Sequence, residues 1–250
     1  MYGSRRTAYR QIPHKFGTAL FVILMVLFGV GASADHGPET YAAAHVSVVV
    51  IEPTWPGYNR PGFGAPPGSA PAGSGVYFGV GQHSHYLVTA AHVVTSASRV
   101  EIVSNDGLRQ DVEIVAIDRA RDIAVLRSPK PSRPIVMAGD TPPVGLHACA
   151  IGNSFGLGLS FSCGVVSAIN RRNVGFNAIE DFVQTDAAIN PGASGGALVD
   201  PQGRLIGLID GIFTKEADID AGVNFAISVP MLKQSLQELR AESPSIPNLD

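Results

Sequence analysis

The chain has 250 residues, 45% of them hydrophobic, which suits one globular unit of about 200 residues with a sizeable core, built if need be from two small barrels around one cleft. Its formal net charge is −3 and its pI about 6.1, and no run of Lys or Arg occurs beyond the first fifteen residues. Nothing in the mature part attracts nucleic acid electrostatically, so that class of partner is excluded.

The first 34 residues read as an export signal. Arg5, Arg6, Arg10 and Lys15 precede an apolar run from about Ala19 to Val30, then come Ala32-Ser33-Ala34, small residues of the kind a signal peptidase accepts, and Asp35. Cleavage there leaves residues 35–250 as the mature domain, in the periplasm or outside the cell. The competing reading is a retained membrane anchor over residues 19–34, because the run counted through Ala34 approaches the ~17 residues at which a segment begins to span a bilayer. The Arg5-Arg6 pair is weak support for a twin-arginine signal.

Val46 to Ile51, nearly continuous and β-branched, is expected to be the first strand. The segment 53–75 is dense in Pro and Gly and reads as an exposed loop or linker. His83 and His85 fall on one face if extended, with no third ligand nearby, and read as solvated histidines beside a turn. Short Val- and Ile-rich runs then recur, at Val76 to Val80, Tyr86 to Thr89, Val100 to Val103, Val112 to Ile117, Ala124 to Arg127, Ala148 to Ile151, Ser162 to Ile169, Phe182 to Gln184, Ala197 to Val199, Leu205 to Ile209 and Val223 to Ile227. Turn residues such as Asn105-Asp106-Gly107 and Asp200-Pro201-Gln202-Gly203 punctuate them, the pattern of an all-β sandwich or pair of barrels. Cys149 and Cys163 flank a hairpin centred near Gly156, where they can pair as a disulfide in an oxidising compartment or remain two small buried thiols. No metal cluster uses them, and no metal or cofactor is expected. Only the tail from Pro230 to about Ala241 has a helical pattern, with Pro230 in the first turn and Leu232, Leu236 and Leu239 on one stripe.

A serine hydroxyl is a poor nucleophile at neutral pH, and needs an imidazole to take its proton and donors placed for the oxyanion that follows. Gly192-Ala193-Ser194-Gly195-Gly196 provides a nucleophile on a turn where the N–H groups of Gly192 and Ser194 can point at one oxygen. Taken alone, a Gly/Ser-rich turn between strands is usually only a turn. Its weight comes from His92, just after an apolar strand in Thr89-Ala90-Ala91-His92-Val93-Val94, and from Asp122, opening another in Arg121-Asp122-Ile123-Ala124-Val125-Leu126. Either alone would be structural, but the order His, Asp, Ser matches one of the known triad arrangements.

TAAHVV at 89–94, DIAVLR at 122–127, AIGNSFGLGLSFSCGVVSAINR at 150–171 and QTDAAINPGASGGALVDPQGRLIGL at 184–208 resemble the trypsin-like serine peptidases, specifically the HtrA/Deg branch. The similarity covers about residues 75–230. It implies two perpendicular six-stranded barrels with the triad in the cleft between them. By the same resemblance His92 is general base, Asp122 orients the imidazole, Ser194 is nucleophile, and the N–H groups of Gly192 and Ser194 form the oxyanion hole. Asp118 falls at a turn position of the family pattern and is not expected to be catalytic. The implied partners are polypeptide substrates, exported and unfolded or damaged, together with a homo-oligomer, a trimer by analogy.

Two departures from the pattern stand out. The family usually has Asn where this chain has Ala193, and relatives activated by zymogen cleavage have an acid there to pair with a new N-terminus. Ala193 cannot make that ion pair and no Arg-Ile-Val-Gly-Gly signal is present, so the 188–194 loop must be ordered from elsewhere. The branch also commonly carries a C-terminal PDZ domain, and none is expected here, which puts chaperone activity, PDZ-regulated switching and cage assembly in doubt. Six residues before Ser194, where trypsin-type enzymes place an acid, stands Ala188. A pocket of Ala188, Ile189, Ile212 and Val223 or Phe225 should prefer small or medium aliphatic side chains. Asp210, Asp218 and Asp220 read as solvated loop acids, with a carboxylate at the pocket rim as the alternative. Rival functions are a non-catalytic binding module on the same fold, whose Ala193 loop never forms a competent oxyanion hole, and another hydrolase such as an esterase.

Overall fold

The computed structural model describes residues 36–56, 72–212 and 222–248. The expected export signal, the middle of the Pro/Gly-rich segment, Asp218 and Asp220 lie outside them. Strands β1 (Val48–Thr54), β2 (Gly73–Tyr77), β3 (Tyr86–Ala90), β4 (Arg99–Val103), β5 (Arg109–Asp111), β6 (Glu113–Asp118) and β7 (Ile123–Arg127) form one antiparallel sheet in the order β5-β4-β1-β2-β3-β7-β6. Strands β8 (His147–Gly152), β9 (Ser160–Arg171), β10 (Phe182–Thr185), β11 (Ala197–Val199), β12 (Leu205–Ile212) and β13 (Asn224–Ser228) close a six-stranded barrel in the order β10-β13-β12-β11-β8-β9.

The closed second barrel matches expectation, while the first unit has seven strands in an open order. The expected strand Val112 to Ile117 accounts for the difference. Arg109–Asp111 pairs with β4 and Glu113–Asp118 pairs with β7, so the two edges of the sheet are consecutive in the chain and joined only through Val112. A sheet whose opposite edges are linked by one residue must curl until they nearly meet, which makes it a half-barrel.

The apolar runs are continuous because many strands are sandwiched between two cores. In β7, Ile123 and Val125 enter a core shared with the second barrel, while Ala124 and Leu126 fill the first sheet's own core. In β11, Ala197 and Val199 enter the shared core and Leu198 the second barrel's interior. The two-residue period of a strand thus shows up as alternation between two apolar compartments rather than between core and water.

Helix α1 (Gly37–Ala44) was not expected, since its alanines and the short Gly-Pro start give no apolar stripe; α2 (Ala91–Val94) is one turn at the end of β3; α3 (Val229–Glu242) is the expected terminal helix. Ser228 caps α3, its Oγ accepting the Met231 N–H at 3.3 Å, and Leu232, Leu236 and Leu239 pack into the shared core. Strand β1 runs to Thr54 and β2 starts at Gly73, so both ends of the expected loop are sheet. No helix among the described residues is long and apolar enough to cross a membrane.

Candidate active site

His92 stands one residue into α2, directly after β3, and Asp122 sits in the turn between β6 and β7. Asp122 has φ 57°, the left-handed region that Asp tolerates better than most residues, and its carbonyl accepts the Ala91 N–H at 2.9 Å. The turn is held from below. Asp118 accepts the N–H groups of Ala120 and Arg121 at 3.0 and 3.1 Å and the Ser235 hydroxyl at 2.7 Å, and it pairs with Arg121 at 2.8 Å. Arg121 in turn reaches Glu238 on α3 at 2.7 and 3.1 Å. The terminal helix therefore fastens the turn that carries Asp122.

The Asp122 carboxylate accepts the His92 backbone N–H at 2.8 Å through Oδ1 and lies 2.6 Å from His92 Nδ1 through Oδ2. A carboxylate only accepts, so Nδ1 carries the proton and Nε2 presents a lone pair. The imidazole is half exposed, 51% of its side chain against 12% for Asp122. Burial works to lower the imidazole's pKa, but the hydrogen bond to Asp122 and the charge of Asp122 outweigh it and hold the pKa above the ordinary histidine value. For Asp122 burial pushes the pKa up, and the bonds from His92 and Asp210 more than offset it, leaving the carboxyl below its ordinary value.

Ser194 lies on the turn before β11, and its Oγ donates to the Asp210 carbonyl at 3.1 Å. Two flanking peptides are oriented from their carbonyl ends. Pro191 C=O accepts the Phe155 N–H at 2.6 Å, and Ala193 C=O accepts the Gly196 N–H at 2.9 Å. In a trans peptide the N–H points opposite to the C=O, so the N–H groups of Gly192 and Ser194 are turned away from these acceptors. Neither is engaged by another group among the described residues. Ser74 on β2 braces the same loop: its N–H donates to the Ser194 carbonyl at 2.8 Å, and its Oγ donates to the Gly192 carbonyl at 2.9 Å while accepting the Asn153 N–H at 2.8 Å. Gly192 has φ 98°, and a Cβ there would lie 2.2 Å from the Asn153 carbonyl. Gly195 has φ 80° and is as tightly placed, 2.2 Å from the Ser74 carbonyl. The order expected from elsewhere in place of an ion pair at Ala193 comes from these bonds.

The open cleft at the site, about 500 Å³, is lined by His92, Arg119, Asp122, Phe176, Asn177, Ile189, Asn190, Pro191, Ser194, Asp210 and Gly211. Ile189 lines it. Ala188 does not line it: the residue is exposed and its carbonyl accepts the Ser162 hydroxyl at 2.5 Å. Ile212 ends β12 with its side chain outside the described residues. Phe225 is buried behind Phe176, ring centroids 5.6 Å apart. Asp210 is no solvated loop acid: it sits within β12 and is 5% exposed. Cys149 and Cys163 oppose each other in the β8–β9 ladder, 4.1 Å between Cα atoms, and are joined in a disulfide.

Ser74, Asn153, Asn177 and Glu180 escaped the sequence reading. Ser74 is masked by its Gly-rich surroundings, Asn153 and Glu180 act through backbone N–H groups that no spacing reveals, and Asn177 acts on a side chain distant in sequence. Asp210 left a faint signal, as an acid directly continuing the apolar run Leu205 to Ile209.

Comparison with family models matches residues 73–208 to the trypsin-like peptidase domain. The periplasmic pH-dependent serine endoprotease DegQ of Escherichia coli K12 is 38% identical over 170 residues, covering 67% of this chain and 37% of that protein. The periplasmic serine endoprotease DegP of Salmonella typhimurium is 40% identical over 157 residues, covering 62% and 33%. The solved structure of the HtrA-type protease AlgW with a tripeptide superimposes with a TM-score of 0.72 at 33% identity, covering 83% of this chain and 64% of that one. The chain thus spans about a third of the length of the curated relatives it matches. The matched segment runs from β2 through the first half of β12, takes in His92, Asp122 and Ser194, and exceeds half of the sequence, so the chain belongs to the trypsin-like peptidase family.

Proposed function

We propose that the chain is a serine endopeptidase acting on exported polypeptides, with His92, Asp122 and Ser194 as its triad. The observation that carries this is the 2.6 Å contact of His92 Nδ1 with Asp122, which leaves Nε2 free as a base beside the braced Ser194 turn. In the reaction, Ser194 Oγ turns from the Asp210 carbonyl toward Nε2 and attacks the scissile carbonyl carbon as its proton passes to the imidazole. Asp122 stabilises the imidazolium. The carbonyl oxygen, now anionic, takes hydrogen bonds from the N–H groups of Gly192 and Ser194, donors of a kind whose loss costs about 10²- to 10³-fold in rate. Collapse expels the amine with the proton from Nε2 and leaves an ester on Ser194. Water, deprotonated by His92, then hydrolyses the ester.

The buried Ile189 wall of the cleft supports a preference for small or medium aliphatic side chains. Export rests on the N-terminal segment and on relatives named as periplasmic, removal of residues 1–34 follows from the Ala32–Ala34 site, and retention of residues 19–34 would instead anchor the domain to the membrane. Unfolded or damaged exported proteins as substrates, and assembly as a trimer, follow from the family likeness.

The test is casein cleavage by the full chain beside Ser194→Ala, with a serine-reactive phosphonate and mass spectrometry to locate its adduct. Turnover lost in the variant with the adduct on Ser194 supports the triad. Turnover that survives in Ser194→Ala sinks it. The rival, a binding module on the same fold, draws on the Ser194 hydroxyl being held by a carbonyl, and predicts neither turnover nor adduct.

A further inference from the structure

Asp210 brings a second carboxyl to the Asp122–His92 pair. One ligand atom from each of His92, Asp122 and Asp210 lies within 4.8 Å of the other two. Asn177 Nδ2 donates to Asp210 Oδ2 at 2.7 Å. Asn177 is itself held in place, because Glu180 accepts the backbone N–H groups of Val174, Gly175, Phe176 and Asn177 at 2.6 to 3.0 Å. Two buried carboxyls this close, 8% and 5% exposed, cannot both be ionised without strong repulsion, and a hydrogen bond between them requires a proton on one. Asp122 takes two N–H donors from His92, which stabilise its anion, whereas Asp210 takes one neutral amide. The proton therefore belongs on Asp210.

We propose that Asp210 is a positioning residue which, as a neutral acid, donates its O–H to the Asp122 carboxylate, steadies it for His92, and limits activity at alkaline pH by losing that proton. The proposal rests on the triad reading above. Burial, then the charge of Asp122 and the hydrogen bond to it, push the Asp210 carboxyl up to about 8, against the opposite pull of His92 and Asn177. Arg119 is the other charged group on the cleft, Glu180 lies behind Asn177, and β11 and β13 contribute no titratable side chain. Above that pH the donor is gone and a second anion faces Asp122. Because the neutral imidazole is needed as base and the neutral carboxyl as donor, activity is confined between the two titrations.

The test follows kcat, KM and the phosphonate labelling rate against pH in the full chain, with Asp210→Asn and Asp210→Ala. Asp210→Ala is expected to lower kcat by about tenfold or more at little cost in KM. Asp210→Asn, which keeps a donor that cannot ionise, should restore part of that loss and lack the alkaline limb. Isotope-edited infrared titration of the unmodified chain should show a protonated carboxyl band that bleaches near pH 8 and is missing in Asp210→Asn. An alkaline limb that persists in Asp210→Asn, or no such band, overturns the proposal. The infrared measurement needs no turnover, so it decides the protonation of Asp210 even where absent labelling of Ser194 has sunk the triad.

Discussion

Ser74 and Gly192, 118 positions apart, are joined by a hydrogen bond of 2.9 Å from hydroxyl to carbonyl, and through it the first sheet sets the shape of a loop on the second. The same hydroxyl accepts from Asn153, so one fully buried side chain ties together the start of β2, the turn after β8 and the loop before β11. Loss of this hydroxyl strands a partly buried carbonyl and a buried N–H. Ser74→Ala is therefore expected to cost about 1–3 kcal/mol for each group left unsatisfied. It should also slow phosphonate labelling of Ser194 by about 10- to 100-fold, as the Gly192 peptide loses its brace. Denaturant unfolding and labelling kinetics on one preparation check both figures, and unchanged labelling would dismiss the brace.

His92 should titrate above the ordinary histidine range, with activity appearing as the pH rises through that value because the neutral ring is the base. In Asp122→Asn the charge and the carboxylate acceptor are removed, so the imidazole pKa falls. The amide can also hold the wrong tautomer, for which a loss of about 10⁴ in kcat is the precedent in a serine peptidase triad. Proton and nitrogen NMR of the imidazole, alongside turnover, reads both effects.

The all-β character and the terminal helix were legible because they rest on local signals, recurring Val- and Ile-rich runs broken by turn residues and Leu232, Leu236 and Leu239 at helical spacing, while the closed barrel was implied by the family resemblance. What stayed hidden depends on distant partners. Asp210 follows an apolar strand and could have been a rim acid; only the fold puts its carboxyl beside Asp122. Ser74 reads as filler in Gly73-Ser74-Gly75, and the division of β5 from β6 at Val112 cannot be seen until the sheet's two edges are known.

Arg121 is 7% exposed and joins Asp118 to Glu238, so replacing it leaves the largely covered Asp118 carboxylate, 10% exposed at its side chain, without its cation. Arg121→Met is expected to destabilise by about 3 kcal/mol at neutral pH. Although burial opposes it, bonds from Arg121 and Ser235 hold the Asp118 carboxyl below its ordinary value. Its stabilising contribution is present above the unfolded-state pKa and is lost as the pH falls through the folded one. The stability difference between the two proteins should therefore shrink in acid, which urea unfolding at several pH values will show. A constant difference would place the effect in packing alone.

The Cys149–Cys163 disulfide closes a loop with a sequence separation of 14 across a ladder that is already paired. Constraint of the unfolded chain by a loop of that size is worth about 3 kcal/mol. Reduction, or Cys149→Ser with Cys163→Ser, should lower the Tm while leaving the pH profile of turnover in place. A shift of that profile would mean that the bridge reaches the active site.

The shared core has a consequence for when the chain can act during its own synthesis. Ile123 and Val125 come from the first half, Ala197 and Val199 from the second, and each set needs the other to be covered. A chain emerging from its N-terminus has His92 and Asp122 long before it has Ser194, and the Ser74 contacts that shape the Ser194 turn require both halves in place. Competence is thus the last property the molecule acquires. Under the proposed function, the order of the residues along the chain does what a removable inhibitory segment does in other peptidases: it keeps the site inert until both halves are in place.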